Sequence, residues 1–457
     1  MNAPAERRRS LHGEWTSRLG FILALAGSAV GLGNIWRFPY LAGENGGGAF
    51  VLVYLVCVFA IGLPIMMSEV LIGRRGRRNP VRTMALLGEE ESGTRAWGLV
   101  GLLGVFTGFL ILSFYSVIGG WTVAYIVEAA SGAFVSAGSE QVSQVFSDIV
   151  SRPLVAGTWH TVFMILTIGV VVLGVEQGLE RAVRVLVPAL LALLLVLLGY
   201  SMTTGRFLDG LVFLFEPRFE DLTGASVLAA LGQAFFSLSV GMGAVMTYGA
   251  YLKDEESIPR STVAVVLSDT SIALLSALVI FPIAFAHGLD PAAGPGLAFQ
   301  SLPLAFGQMP GGVVVATLFF LLLSFAAWTS AISILEPAVA FVMETWNWTR
   351  PKAAIVVGAI IWAFGFATVM SFGPWSDIQF WRGTFFDNID HLSNNIFLPI
   401  GGLVIVIFAG WVMARNSTAD ELDPQAGWGY RLWRFSARYV APIAVTAMLL
   451  SYGFGLF

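Results

Sequence analysis

The chain has 457 residues, of which 56% are hydrophobic and 12% are charged, and its mean hydropathy is +0.78. This composition excludes a soluble globular domain and predicts an all-α polytopic membrane protein, because about 20 consecutive apolar residues suffice to cross a bilayer. The net charge of −4 excludes little, since its distribution matters more than its total. The single cysteine, Cys57, excludes a disulfide framework and a thiol-ligand metal site.

About eleven apolar segments are long enough to span a membrane. They lie at 18–37, 41–73, 97–128, 158–175, 180–203, 226–251, 260–287, 312–344, 352–372, 386–412 and 435–456. The interior of the bilayer favours helices for such segments, because a helix satisfies its own backbone hydrogen bonds. We therefore expect a multi-pass protein of the plasma (cytoplasmic) membrane.

Arginines indicate the orientation of these spans. They cluster before the first span, directly after the second and before the last: Arg7, Arg8, Arg9, Arg18, Arg74, Arg75, Arg77, Arg78, Arg82, Arg431, Arg434 and Arg438. By the positive-inside rule, residues 1–17 form a cytoplasmic arm and residues 413–434 a cytoplasmic loop. Residues 204–225 are then an extracellular loop, and the last span, within 435–457, ends outside. No cleavable signal is evident, because glycine interrupts the first apolar stretch.

The first span cannot remain an unbroken helix. Residues 23–40 read LALAGSAVGLGNIWRFPY, and its helix-weakening and polar residues are Gly27, Gly31, Gly33, Asn34, Arg37 and Pro39. Within a membrane, an unwound turn is tolerated only where its backbone faces protein or a water-filled cavity. This segment is therefore predicted to line a site.

A later span repeats the pattern. Residues 235–243 read FFSLSVGMG, so that VGMG at 240–243 matches VGLG at 30–33. Two glycine-broken spans in corresponding halves of a polytopic chain are typical of secondary transporters, whose substrate site lies where the broken helices meet. The alternative is that these glycines serve only close helix packing.

Two carboxylates fall within apolar spans. Glu69 is predicted to accept hydrogen bonds from the loosened N–H groups of a broken helix, or else to extend toward the interface beside Arg74. Asp269 is a functional candidate by position, and its burial is energetically acceptable if it faces a bound cation.

The eighth span carries a stripe of oxygen donors. Ala326, Thr329, Ser330 and Ile334 share one helical face, and two hydroxyls beside a backbone carbonyl suit a small hard cation. Serine and threonine also commonly bond to their own helix, which is the alternative interpretation.

Two other helices carry candidate residues. Ile111 and Tyr115 share a face of the third span, where an aromatic residue more often packs in a core than contacts a ligand. Gly178 and Pro188 flank the start of the fifth span, which could unwind there or contain only a static kink.

Three runs together resemble a known family. They are WTSRLGFILALAGSAVGLGNIWRFPYLAGENGGGAF, FFSLSVGMG and SFAAWTSAISILEP, within a match from about Trp15 to Trp411. They are similar to the neurotransmitter:sodium symporter family, and most of all to its bacterial amino-acid members. The resemblance implies the LeuT fold, a 5+5 inverted repeat over 18–203 and 226–412 whose first and sixth helices are unwound at mid-membrane.

The resemblance also implies roles for individual residues. A first sodium site would use Ala29, Asn34, Ser237 and Asp269, and a second Gly27, Val30, Ala326, Thr329 and Ser330. Substrate contacts would come from Ala29, Gly31, Gly33, Ile111, Tyr115, Phe236, Ser237, Ser239, Met242, Ser330 and Ile334. Arg37 with Asp390 would form the outer gate, and Trp15, Tyr251 and Glu344 the inner one. Gly178 and Pro188 match the element thought to unwind in the inward-facing state.

The sequence departs from the family pattern at three points. His12 stands where an arginine partner for Glu344 is expected, so that one of Arg7 to Arg9 substitutes for it or the inner latch differs. Asp269 replaces a neutral asparagine of better-known members, which predicts a fixed counter-charge in place of chloride. The usual twelfth span is absent.

These features predict a sodium-coupled symporter that imports neutral hydrophobic amino acids by alternating access, with two Na⁺ sites and no chloride requirement. Its partners would be Na⁺, a small amino acid and the lipid bilayer, with no nucleic acid. A sodium channel would need a continuous polar pore, and an enzyme is not expected, because His12, His160, His287 and His391 have no ligand spacing. A non-transporting amino-acid sensor, or a symporter of another small zwitterion, is the remaining alternative.

Overall fold

The structure, a computed structural model, describes residues 8–292, 294 and 296–454, of which 453 and 454 are described by their backbone alone. In this part of the chain the only β-structure is one isolated bridge, between Phe380 and Gly383. The helices of the first half are α1 Arg18–Ala29, α2 Gly33–Glu44, α3 Gly48–Gly76, α4 Pro80–Ser92, α5 Gly98–Ala130, α6 Ser139–Val150, α7 Pro153–Val172, α8 Val175–Thr204 and α9 Phe207–Phe215.

The second half continues the helical architecture. Its helices are α10 Gly224–Ser237, α11 Ala244–Ala250, α12 Ile258–Ala286, α13 Leu302–Gln308, α14 Gly312–Trp346, α15 Arg350–Ser371, α16 Phe385–Val412, α17 Arg415–Leu422, α18 Trp428–Phe435 and α19 Ala441–Phe454. A π-helical turn, Ser436–Val440, joins α18 to α19. Eight helices among the described residues are long and apolar enough to cross a membrane, and the bent pair α1 and α2 makes a ninth.

The two remaining predicted spans are also helical. The span predicted at 226–251 consists of α10 and α11, each too short to cross a bilayer alone, with residues 238–243 between them. The span predicted at 435–456 is the continuous helical stretch from α18 to α19. Apart from the breaks, every predicted span therefore coincides with helix in the described residues.

The first span breaks where the glycines predicted. Helix α1 ends at Ala29, Val30 turns to an extended conformation, and α2 leaves at 51° to α1. The N–H of Gly31 then bonds to the side-chain Oδ1 of Asn34 at 3.1 Å, in place of a helical carbonyl. The polar residue after the break thus satisfies part of the backbone that the break exposes.

The second break contains three residues with positive φ. Ser239, Gly241 and Gly243 have φ values of 53°, 89° and 79°, a left-handed conformation that glycine adopts without cost. Gly241 also lies directly against the backbone of Leu398 and Gly402 in α16, where a side chain would collide. Glycine at 241 is therefore required by both conformation and space.

Short helices also lie outside the predicted spans. Helix α9 lies in the predicted loop 204–225, α13 lies between the spans predicted at 260–287 and 312–344, and α17 and most of α18 lie in the predicted loop 413–434. In α9, Gly210 packs closely on Pro282 of α12, while Leu208 and Val212 are exposed. Helices this short are stable mainly because they pack against the spans. The local sequence of these segments therefore did not predict them.

The arginine-rich segments share one face of the molecule. Arg74, at the end of α3, donates to the side chain and carbonyl of Glu421 in α17, both at 2.6 Å, and to the carbonyl of Glu256 at 2.6 Å. Lys253 donates to the carbonyl of Thr16 in the amino-terminal arm at 3.1 Å. These bonds bring four segments together: the arm, the segment after α3, the loop before α12 and the loop before α18. This placement agrees with the distribution of the arginines.

Candidate functional site

A narrow cavity lies where the two broken helices meet α5 and α14. The empty space between the lining atoms is about 300 Å³, including space that is open to solvent. Its lining comprises Ser28, Ala29, Gly31, Gly33, Ile111, Tyr115, Phe236, Ser239, Met242, Ser330 and Ile334. The geometry thus brings the predicted substrate contacts together, with the exception of Ser237, and adds Ser28.

The lining of the cavity combines backbone and hydroxyl groups with an apolar wall. The carbonyl of Ser28 accepts hydrogen bonds from the hydroxyls of Ser239 at 2.9 Å and Ser330 at 3.1 Å. The apolar wall consists of Ile111, Phe236, Met242 and Ile334. Ser28 was not among the substrate contacts predicted from the sequence, because nothing distinguishes it from the other small residues at the helix break.

Gly31 marks the closest approach of the first broken helix to the cavity. A Cβ atom there would lie 2.8 Å from the Tyr115 hydroxyl and would collide with the Ser330 hydroxyl. The Tyr115 hydroxyl accepts a hydrogen bond from the Leu32 N–H at 3.2 Å. A side chain at position 31 would collide with these groups, so that the chain presents only backbone to the cavity at this position.

A buried carboxylate cluster lies beside this cavity. Asn34 Nδ2 donates to Asp269 Oδ1 at 2.7 Å, and the Ser237 hydroxyl lies 2.9 Å from both carboxylate oxygens. Asp269 is fully buried, and no lysine, arginine or histidine of the described residues forms an ion pair with it. Uncompensated charge is costly in such a place, so that these oxygen atoms fit a small hard cation such as Na⁺.

A second group of oxygen atoms joins α1 to α14. The Ser330 hydroxyl lies 3.4 Å from the carbonyls of Gly27 and Val30. Thr329 instead bonds to its own helix, with its hydroxyl 3.1 Å from the carbonyls of Phe325 and Ala326. Carbonyl and hydroxyl oxygens alone make up this group, and they also fit Na⁺. The Thr329 hydroxyl thus donates within its own helix, and like the Ser330 hydroxyl it keeps lone pairs that can accept. The role of both residues as cation ligands stays a prediction.

Glu69 and Gln233 support the broken helices from outside the cavity. Glu69 is fully buried and accepts a hydrogen bond from the Gly241 N–H at 2.5 Å. Gln233, also fully buried, donates to the Gly33 carbonyl at 2.7 Å. Gln233 was missed in the sequence, although a buried amide one turn before Ser237 on α10 is a signal that could have found it.

Comparison with known proteins identifies the architecture. The model of the sodium:neurotransmitter symporter family matches residues 12–143 and 141–454. An uncharacterised sodium-dependent transporter of Bacillus subtilis, YhdH, is 38% identical over 96% of this chain and 97% of its own length. A sodium-dependent transporter of Haemophilus influenzae is 32% identical over 96% and 97%. The chain belongs to the sodium:neurotransmitter symporter family.

A solved structure gives the fold of this symporter. The crystal structure of MhsT in complex with L-phenylalanine superposes with a TM-score of 0.89 at 43% identity, over 96% of this chain and 99% of that one. The symporter is thus an all-helical, multi-pass membrane protein with the LeuT fold. It is a sodium-dependent transporter, not an enzyme. A nutrient amino-acid transporter of Drosophila grimshawi, 26% identical over 90% of this chain and 79% of its own length, is a more distant relative.

The residues predicted to form the outer gate, Arg37 and Asp390, are joined by no hydrogen bond or ion pair in the part of the chain that the structure describes. The guanidinium of Arg37 stacks 4.7 Å from the ring centroid of Phe236, and its Nη1 is buried without a hydrogen-bond partner. The Asp390 carboxylate accepts a hydrogen bond from Asn394 at 2.6 Å, and no ion pair joins it to Arg37 in the described part of the chain. The role of this pair as a gate stays a prediction.

On the inner side, the amino-terminal arm is held against α11. The Trp15 indole donates to the Tyr248 carbonyl and its backbone N–H to the Tyr251 carbonyl, both at 3.0 Å. The Tyr251 hydroxyl donates to Glu336 at 2.8 Å, and Glu336 forms an ion pair with Arg350. Glu336 and Arg350 were missed, although a glutamate inside the eighth apolar span was a visible signal.

At the predicted inner latch, Glu344 contacts a histidine and not the arginine that the family pattern predicts. His12 itself contacts Glu344, with 2.8 Å between Nε2 and Oε1. Arg8 instead pairs with Glu90, and the carbonyl of Arg9 accepts a hydrogen bond from Arg78, so that neither takes the predicted place. Arg7 lies outside the described residues. Within the described residues, Glu344 is therefore paired with His12 and not with Arg8 or Arg9.

Glu180 ties the start of α8 to the start of α1. Its carboxylate accepts hydrogen bonds from the Thr16 N–H at 2.9 Å and from Arg184 at 2.6 Å, and it is only 2% exposed. Gly178 lies in a π-helical turn, Val175–Glu180, and Pro188 lies inside the following α-helix. The predicted unwinding between them is not present in this conformation, and it stays a prediction for another state.

Proposed function

We propose that this symporter imports neutral, hydrophobic L-amino acids together with Na⁺ by alternating access. The observation that carries the proposal is the lining of the cavity, which contains both the backbone at Gly31 and the apolar side chains of Ile111, Phe236, Met242 and Ile334. The N–H groups at the start of a half-helix favour a carboxylate, and the apolar wall favours a side chain without charge. The phenylalanine in the related MhsT structure supports the same substrate class.

Two Na⁺ sites are proposed beside the substrate. Asn34, Ser237, Asp269 and the Ala29 carbonyl would hold the first, next to the substrate carboxylate. Gly27, Val30, Ala326, Thr329 and Ser330 would hold the second. Sodium bound between α1 and its neighbours favours the outward-open conformation, and substrate then allows closure. The inward sodium gradient and the membrane potential therefore drive import.

We also propose that transport does not require chloride. Asp269 supplies a permanent negative charge inside the first site, and a mobile anion would only add to it. The orientation in the proposal has the amino-terminal arm in the cytoplasm and the carboxyl-terminal residues outside, because the arginine-rich segments share one face.

Uptake into proteoliposomes tests the proposal. Labelled L-phenylalanine and L-leucine should accumulate under an inward sodium gradient and not under an equal potassium gradient, and replacement of chloride by gluconate should leave the rate unchanged. Lysine and glutamate should not compete. Sodium-dependent binding without flux would instead identify an amino-acid sensor, and chloride-dependent uptake would overturn the role of Asp269.

A further inference from the structure

A long apolar groove opens to the outside of the molecule beside its arginine-rich face. Its walls come from α3, from the start of α12, and from α18 with the π-helical turn that follows it. The empty space between the lining atoms is about 1820 Å³, including space that is open to solvent, against about 300 Å³ for the central cavity. The apolar part of the lining includes Leu63, Met67, Val263, Leu432, Phe435 and Val440.

The groove extends from the arginine-rich face into the apolar part of the molecule. Arg260, in the first turn of α12, lines it at one end, and Phe59 of α3 lines it further in. Helix α3 ends at Gly76, on the arginine-rich face. Phe59 therefore lies about 25 Å from that end, measured along the helix. This distance places the inner part of the groove among residues that hydrocarbon surrounds in a bilayer.

Helix α18 forms one wall by packing on α3 with a single face. The indole of Trp433 donates to the Pro64 carbonyl at 3.2 Å, and the Ser436 hydroxyl donates to the Ala60 carbonyl at 2.5 Å. The other face of α18 carries exposed apolar side chains, which are Trp428, Leu432 and Phe435. These three residues are four and three positions apart, so that they share one helical face. Such a face, rich in aromatic rings and at the end of a span, is suited to the lipid interface.

Two arginines at this end of the groove have no partner for their side chains among the described residues. Arg260 is exposed, and its only hydrogen bond is from its backbone N–H to Ser257. Arg431 is also exposed, and its only hydrogen bond is from its backbone N–H to Gly427. Arg431 lies four positions before Phe435, on the exposed face of α18. Both guanidinium groups are therefore available to a ligand outside the protein.

The other charged groups of this region are already bonded. Arg434 donates to the hydroxyls of Thr418 and Tyr430, at 2.9 Å and 2.7 Å, and Arg438 donates to a backbone carbonyl at 2.6 Å. Asp423 is the one acidic side chain among the described residues of the lining. Its carboxylate accepts two backbone N–H groups of its own turn, at 3.1 Å and 2.8 Å. The unpaired charge at the groove is thus positive.

We propose that this groove binds one anionic phospholipid from the adjacent leaflet. Its phosphate lies at Arg260 and Arg431, and an acyl chain lies along the apolar walls of α3 and α12. Guanidinium groups bind phosphate oxygens with charge-assisted hydrogen bonds, and basic residues at the end of a span favour anionic lipids. A zwitterionic lipid presents its ammonium group to the same two arginines and is disfavoured. The proposal depends on neither the substrate nor the sodium sites.

Native mass spectrometry of the purified protein in a neutral detergent measures the binding. The probes are phosphatidylglycerol and phosphatidylcholine with identical acyl chains. Phosphatidylglycerol should bind as a single retained molecule with about tenfold or more higher affinity, because each arginine contributes about fivefold. Glycerol phosphate, which has no acyl chains, should not displace it, and displacement would identify a site for a free phosphate compound and overturn the lipid assignment.

Substitutions separate the headgroup contacts from the apolar groove. Arg260→Gln and Arg431→Gln should each weaken phosphatidylglycerol binding by about fivefold and leave phosphatidylcholine within about twofold. Arg415→Gln is the control, because Arg415 is exposed on α17 but does not line the groove. Val263→Trp should weaken binding of both lipids by filling the groove. Val185→Trp, at an exposed position of α8 outside the groove, should weaken neither.

Three results would overturn the proposal. The first is equal affinity of the unmodified protein for the two lipids, and the second is an equal loss in Arg415→Gln. The third is a dimer without bound lipid that Val263→Trp dissociates, which would assign the groove to a second copy of the chain. Sodium-driven phenylalanine uptake by the same variants is scored separately, so that failure of the proposed transport function leaves the lipid result intact.

Discussion

The side chain of Asn34, just beyond the first helix break, donates to the carboxylate of Asp269 in α12 at 2.7 Å. The same amide lies 3.1 Å from the Ser237 hydroxyl, at the end of α10. Both broken helices and α12 therefore converge on one buried negative charge. In the proposed function this charge binds Na⁺ and takes the place of chloride.

Asp269→Asn should raise the sodium concentration for half-maximal uptake by about tenfold or more, equivalent to about 1.4 kcal/mol or more of lost sodium binding. The amide keeps an oxygen ligand but loses the charge that attracts the ion. Chloride should then stimulate uptake by the variant. Uptake is measured against sodium at fixed phenylalanine, with chloride or gluconate, and an unchanged sodium dependence without chloride would contradict the proposed double role.

The double variant Thr329→Ala and Ser330→Ala should also weaken sodium dependence, by about tenfold, because it removes two hydroxyl oxygens from the second group. Ser333→Ala is the matched control, since the Ser333 hydroxyl bonds only to the Ser330 carbonyl of its own helix, at 2.7 Å. The control should remain within about twofold in the same sodium titration. Equal effects of the two variants would exclude the hydroxyls as ligands.

Gly31→Ala should abolish sodium-dependent phenylalanine binding, because the added methyl group collides with Ser330 and lies against the Tyr115 hydroxyl. Gly199→Ala in α8 is the control, as nothing lies within 4 Å of the added carbon. Gly199→Ala should leave binding unchanged and stabilise its helix by up to about 1 kcal/mol. Equilibrium binding in detergent distinguishes them, and retained affinity in Gly31→Ala would place the substrate elsewhere.

Glu180→Gln should loosen the inner side, because the carboxylate that holds Thr16 and Arg184 becomes a neutral amide. We expect sodium-dependent phenylalanine affinity to fall about threefold to tenfold as the population shifts away from the closed inner state. Glu176→Gln changes the same segment at an exposed position and should have no effect. Affinities that fall equally in both variants would assign the effect to the segment as a whole.

The sequence predicted the helical spans and both breaks, because span length and clustered glycines are local properties. It also predicted that Asn34, Ser237 and Asp269 share a site, although this came from family resemblance and not from spacing. Only the family resemblance placed His12 where a partner for Glu344 is expected, since the two residues are 332 positions apart and local sequence cannot join them. The helices α9, α13, α17 and α18 were missed for a related reason, as their stability depends on contacts with distant spans.

The supporting residues show the same limit. Gln233 bonds to the Gly33 carbonyl and Arg350 to the Glu336 carboxylate, both in other helices. Neither partner can be read from the local sequence. Glu69 could be foreseen because a carboxylate at the end of an apolar span requires a partner. The identity of that partner, the Gly241 N–H, required the fold.

In the proposed function, Na⁺ and the substrate carboxylate stabilise each other at the two helix breaks. Equilibrium binding of L-phenylalanine and of phenethylamine, which lacks the carboxylate, is measured at increasing sodium. Sodium should raise phenylalanine affinity and phenylalanine should raise sodium affinity by the same factor, whereas phenethylamine should neither bind tightly nor respond to sodium. Phenylalanine affinity independent of sodium, or equally sodium-dependent binding of phenethylamine, would contradict it.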